Sequence, residues 1–98
     1  MPLALGTDTA GSGRVPAGLN NIVGLKPSRG RVSIGPDFGD LGGGLPCDGV
    51  FTRNVRDTAV ALDAMAGYEP GDRYSPAAPA RTFAETTNAG PGRLSIGV

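Results

Sequence analysis

Leu5-Gly6-Thr7-Asp8-Thr9-Ala10-Gly11-Ser12-Gly13-Arg14-Val15-Pro16-Ala17 is the stretch from which the rest of this chain is read. It starts as the end of an apolar run and becomes a tight turn of small residues carrying the Ser12 hydroxyl. It leaves through Arg14 and a proline that can open a helix. Small residues on both sides of a serine let backbone N–H groups approach a bound atom without side chains intervening. An oxyanion hole around a nucleophile is built that way, and so is an anion nest. A turn with no chemistry at all would look the same. The residues leave three readings open: a structural turn, a nucleophile and an anion site.

The standard motifs do not decide between them. Gly11-Ser12-Gly13 is not Gly-x-Ser-x-Gly, because neither glycine lies two residues from the serine. A phosphate loop would close on Gly-Lys-Ser/Thr, whereas Arg14-Val15-Pro16 follows here, and a dinucleotide fingerprint fails at Pro16. Ser12 also needs a base, since a serine hydroxyl is a weak nucleophile at neutral pH. The chain has no histidine, which excludes a Ser-His-Asp triad and histidine metal sites within it. Lys26 is the sole lysine and lies before a proline turn, with nothing local to suggest burial beside Ser12.

Working outward, residues 2–5 read as a short buried strand and residues 15–21 as one or two helical turns, weakened by Gly18. Asn20-Asn21 can satisfy backbone groups locally. Ile22-Val23-Gly24-Leu25 is an apolar segment closed by Lys26-Pro27. Arg31-Val32-Ser33-Ile34 alternates like a half-buried strand. Residues 35–49 form a glycine-rich loop long enough to be functional. Its acidic members, Asp37, Asp40 and Asp48, lack the spacing of a calcium loop and read as a solvated surface.

Asn54 is a good N-cap for a helix over about 54–66. Val55, Ala59, Leu62, Met65 and Ala66 form its apolar stripe, for packing on a core, and Gly67 is its natural stop. Residues 68–92 read as an irregular connector. Residues 93–98 alternate as the start of a core strand.

The 98 residues allow one domain at most. Gly 17 and Pro 9 together make more than a quarter of the chain, and Leu, Ile, Val and Phe supply only 21 residues. This composition, with a strand-like beginning and end, predicts a segment of a larger glycine-rich enzyme. The net charge of zero and the scattered arginines remove the electrostatic case for nucleic acid or an anionic membrane as partner. No apolar stretch approaches membrane-spanning length, and the single Cys47 cannot form an internal disulfide. The cytoplasm is the expected location.

Gly6-Thr7-Asp8-Thr9-Ala10-Gly11-Ser12-Gly13-Arg14-Val15-Pro16-Ala17 resembles the nucleophile segment of the amidase signature family, Gly-Thr-Asp-x-Gly-Gly-Ser-x-Arg-x-Pro-Ala. The likeness continues through Asn21-Ile22-Val23-Gly24-Leu25-Lys26-Pro27-Ser28-Arg29-Gly30, so the nucleophile segment covers residues 3–30. Gly49-Val50-Phe51-Thr52-Arg53-Asn54-Val55-Arg56-Asp57 is similar to the family's Gly-x-x-Thr-Arg-x-Val-x-Asp. Ala10 stands where a glycine is usual, and Gly13 where an aliphatic residue is. The Thr-Ala-Gly-Ser-Gly-Arg run resembles the allophanate hydrolase branch, and Gly-Leu-Pro-Cys-Asp-Gly looks more like generic amidases.

The resemblance implies an α/β fold with a mixed β-sheet core flanked by helices, of which these residues are a part. It implies hydrolysis of a small-molecule amide through an acyl-serine, without metal or organic cofactor. Ser12 would be the catalytic nucleophile, its proton relayed by a serine in a cis peptide to a neutral lysine. Thr9, Ala10 and Gly11, with Ser12 itself, would offer backbone N–H groups to the oxyanion, and Asp8 and Arg14 would brace the turn. The family's Gly-Ser-Ser-Gly-Gly segment and its lysine have no counterpart in the 98 residues, and Lys26 matches a different motif. The chain alone is therefore expected to be inactive. Allophanate hydrolysis, a role like that of the amidase-type subunit of glutamyl-tRNA amidotransferase, and a non-catalytic remnant are the alternatives.

Overall fold

The computed structural model describes residues 2–38 and 41–97. Its centre is a three-stranded sheet of β1 (Leu3–Asp8), β2 (Val23–Gly24) and β3 (Cys47–Thr52) in the order β1-β3-β2. Both pairings are antiparallel. In register, Leu3 faces Thr52, Gly6 faces Gly49 and Asp8 faces Cys47, so every residue of β1 has a partner on β3. The strand runs three residues beyond the apolar run, because β3 offers a ladder to Gly6 and Thr7 that no local pattern announces. Gly6 is also pressed on by Phe51, whose ring would meet a Cβ there at 2.5 Å. The strand is not buried as expected: it lies at the sheet edge, and Leu5 is 70% exposed.

Helix α1 (Arg14–Leu19) follows the serine turn. Pro16 sits in its first turn, where a missing N–H costs no hydrogen bond. Its C-terminal end is closed locally: the Asn20 amide reaches Pro16 O at 3.0 Å and its side chain donates to the same carbonyl at 2.8 Å. Asn21 takes a left-handed φ of 53°. Lys26 then ties this segment to the end of the glycine-rich loop, its Nζ donating to Leu45 O at 2.7 Å and lying 3.1 Å from Cys47 Sγ.

Helix α2 (Val55–Met65) starts where Asn54 caps it, its side chain accepting from the Asp57 amide at 2.8 Å. The buried face is Thr58, Ala59 and Leu62, packed on β3. Val55, placed on the stripe by its apolarity, is 62% exposed. Thr58 is buried instead because its hydroxyl is satisfied: it lies 2.7 Å from the buried Thr52 hydroxyl, which also donates to Asn54 O at 2.7 Å. Gly67 is not the stop. Ala66 turns extended and bridges Val32, and the Gly67 amide donates to Arg31 O at 3.1 Å. Among the described residues that bridge is the only β pairing of residues 31–34, so no strand forms there. Ser33 Oγ instead donates to Asp72 and accepts from the Gly35 amide.

The connector after α2 folds back over residues 29–36. Arg29 stacks 5.2 Å from the Tyr74 ring centroid, and a Cβ at Gly30 would meet Tyr74 at 2.6 Å. Helix α3 (Phe83–Asn88) lies inside the stretch that the sequence reads as irregular. Thr82 and Glu85 form a capping box, and Asp63 of α2 accepts from the Phe83 and Ala84 amides at 2.7 and 2.9 Å. Residues 93–97 are exposed and form no strand, since no described neighbour offers them a ladder. Residue 98, the last of the expected strand, lies outside the described residues. Among those residues, no helix is long and apolar enough to cross a membrane.

Candidate active site

The serine turn is built on Asp8, the last residue of β1 and only 3% exposed. Its Oδ1 accepts from the Gly11 amide at 2.7 Å and from Arg14 Nη2 at 3.1 Å. Its Oδ2 accepts from Arg14 Nε at 2.9 Å and from the Arg14 amide at 3.0 Å. One carboxylate therefore closes the turn at both ends and satisfies the first amide of α1, whose Ncap, Gly13, has no side chain to do so. The Arg14 guanidinium, helped by the Arg14 and Gly11 amides and opposed by desolvation, holds the Asp8 carboxyl far below the usual carboxylate range. Asp8 in turn raises the Arg14 pKa. A buried charge is tolerated here because it is paired and fully hydrogen-bonded.

Glycines make room for this arrangement. Gly11 sits at φ 118°, a backbone region that side-chain-bearing residues rarely adopt, and sends its carbonyl to the Val15 amide at 2.8 Å. Gly13 is packed against Asp8, where a Cβ would stand 3.1 Å from Asp8 Cβ. Ser12 is exposed at the crest, its Oγ donating to Thr7 O at 3.0 Å.

The four amides of the turn are not equivalent. That of Gly11 points inward to Asp8. Those of Thr9, Ala10 and Ser12 find no acceptor among the described residues. Lys26 is anchored on Leu45 and Cys47, away from any contact with Ser12. Among the described residues no group of His, Cys, Asp and Glu could hold a metal ion. Asp48 is engaged by Thr7, and Asp40 lies outside the described residues.

One residue at the site and its partner escape sequence reading. Thr7 supplies the carbonyl that holds Ser12, and its hydroxyl donates to Asp48 Oδ1 at 2.6 Å across the sheet. Only the β1–β3 register brings Thr7 and Asp48 opposite one another, so no local signal could have paired them.

A small α/β scaffold that lifts an exposed serine on a carboxylate-braced turn of small residues defines the class: a protein presenting a hydroxyl among free backbone amides. The chain belongs to the Amidase family, whose model matches residues 1–98. It is 43% identical over 99 aligned positions to 6-aminohexanoate-cyclic-dimer hydrolase of Pseudomonas sp., covering 99% of this chain and 20% of that protein. It is 49% identical over 77 positions to a glutamyl-tRNA(Gln) amidotransferase subunit of Enterococcus faecalis, covering 76% of this chain and 15% of that one. The solved structure of a 6-aminohexanoate cyclic dimer hydrolase complexed with substrate superposes with a TM-score of 0.87 at 42% identity, over 95% of this chain and 20% of the other. The chain thus spans a fifth or less of the length of these relatives.

Proposed function

We propose that these residues are the nucleophile segment of an enzyme that hydrolyses small-molecule amides in the cytoplasm. Ser12 Oγ bonds to the amide carbonyl carbon, the carbon–nitrogen bond breaks, and the serine proton ends on the departing amine. Water then adds to the acyl-serine, releasing the acid and restoring the hydroxyl. The negative oxygen of each tetrahedral intermediate is received by turn amides, those of Thr9, Ala10 and Ser12 before that of Gly11, which Asp8 already engages. Asp8 and Arg14 position the turn and touch no substrate. The observation that carries this reading is an exposed Ser12 beside amides that lack acceptors, on a turn clamped by a buried carboxylate.

This reading takes the base from outside these 98 residues; the lack of histidine among them and the engagement of Lys26 with Leu45 O support it. Similarity to both a hydrolase and an amidotransferase fits a segment that makes the acyl-serine and leaves the acceptor, water or ammonia, to other parts of the enzyme.

The test is turnover of simple amides by the full-length protein, with trapping of Ser12 by a fluorophosphonate. Ser12→Ala is expected to lower turnover by more than about 10⁴-fold and to abolish labelling. The 98 residues alone are expected to show no Ser12-dependent turnover. An active Ser12→Ala enzyme would sink the assignment.

A further inference from the structure

Beside the serine turn, the glycine-rich loop leaves large apolar side chains in the open. Phe38 and Leu41 are 60% and 61% exposed, yet they do not point away separately. Among the described residues, they line a cavity of about 210 Å³ together with Ile34, Pro46, Thr7 and Asp48. The shape comes from backbone: Gly42, Gly43 and Gly44 take φ of 56°, 69° and 72° in succession, a left-handed run that turns the loop back toward β3. A liquid water takes about 30 Å³, so the space admits a chain of several heavy atoms.

Two features tie this cavity to the reaction. Thr7 belongs to both, since it lines the cavity and its carbonyl holds the Ser12 hydroxyl at 3.0 Å. Asp48 is half-buried in the same wall, with Oδ1 taken by the Thr7 hydroxyl and no cation among the described residues paired with the carboxylate. Apolar walls favour hydrocarbon through the area they remove from water. A carboxylate without a counter-ion at the edge repels an anionic guest and accepts from an N–H donor.

We infer that this cavity is the specificity pocket for the hydrocarbon part of the amide, and that Asp48 makes it choose a neutral or cationic chain over an anionic one. The inference rests on Ser12 being the nucleophile of the adjacent reaction, and its test separates the two. Binding of hexanamide, acetamide and adipic acid monoamide is measured on the full-length Ser12→Ala protein, which is expected not to turn them over, by ligand-observed NMR and calorimetry. Hexanamide should bind at least about tenfold more tightly than acetamide, the four added methylenes being the cause. Adipic acid monoamide should bind more weakly than hexanamide.

Leu41→Trp, which fills the cavity, should collapse the hexanamide-to-acetamide ratio toward one. Asp48→Asn, which keeps an acceptor for Thr7, should narrow the discrimination against the anionic chain. The same pattern should appear in kcat/KM with Ser12 intact. Equal affinity for hexanamide and acetamide, or a ratio that Leu41→Trp leaves unchanged, would overturn the pocket. An unchanged preference against the anion in Asp48→Asn would overturn the role of that carboxylate. Full turnover by Ser12→Ala would overturn the nucleophile while leaving the binding results to judge the pocket.

Discussion

Asp8 holds the serine turn through a single side chain, and the consequences are specific. Asp8→Asn keeps the size and loses the charge. It cannot accept all four hydrogen bonds in the same geometry, because one of its oxygens becomes an NH₂ donor facing Arg14. We expect lower stability and, in the full-length protein, a fall in kcat larger than the rise in KM, since the turn amides lose their placement.

The acid dependence has a definite sign. The folded carboxyl titrates well below its ordinary value of 3.8. Above that value both folded and unfolded chains are ionised, and the pair contributes in full. Below it the unfolded chain takes up a proton that the folded chain refuses, so stability falls as acid is added. Urea midpoints of the full-length protein from about pH 6 down to about pH 2 should drop more steeply for the wild type than for Asp8→Asn. Parallel curves would show that Asp8 does not govern this range. Ser12 and Asp8 were both legible in the sequence through the run of small residues from Gly6 to Gly13. The inward direction of the Gly11 amide was not, because it depends on where the Asp8 side chain lies in three dimensions.

At the scale of elements, β2 is only two residues long and is held by its close fit to α1. A Cβ at Gly24 would come 2.6 Å from Ala17 Cβ and 3.0 Å from Gly13 O. Ala17 is buried and the second contact is backbone, so neither can yield by rotation. Gly24→Ala should lower the denaturation midpoint of the full-length protein, by overpacking at the contact of β2 with α1 that costs about 1–3 kcal/mol. A neutral result would mean that β2 and α1 can slide apart freely.

Helix α3 gives a contrasting case. Thr82→Ala removes one half of its capping box and should cost about 1 kcal/mol. The loss should register as faster hydrogen exchange at the Glu85 amide, with the exchange of β3 unchanged. The Thr82-x-x-Glu85 box was readable in the sequence but lay within a proline- and alanine-rich stretch. What stabilises so short a helix is the Asp63 carboxylate from α2, a contact across 20 residues. The buried face of α2 failed in the opposite way. Apolarity placed Val55 inside, but the Thr52–Thr58 hydroxyl pair made a polar position the better one to bury.

For the whole molecule, the balance of buried and exposed apolar groups sets the behaviour. Among the described residues, the buried hydrophobic ones are Ala17, Val32, Cys47, Val50, Ala59 and Leu62, most of them small. Leu3, Leu5, Val15, Leu19 and Val60 stay exposed. So little buried area gives a weak core at this size. The isolated 98 residues should bind ANS and melt over a broad range, as exposed apolar patches and weak cooperativity require. A sharp cooperative melt without dye binding would contradict this.

By itself the sequence determined the family, the turn that carries Ser12 and the Asn54-capped helix, because each is written in residues close along the chain. Only the tertiary structure decided which residues of β1 face inward, that Thr7 meets Asp48, that Lys26 is bound to the loop, and that residues 93–97 form no strand. These depend on strand register and on side chains meeting across the sheet, where residues about 20 to 40 positions apart are brought within hydrogen-bond distance by backbone pairing that no local pattern encodes.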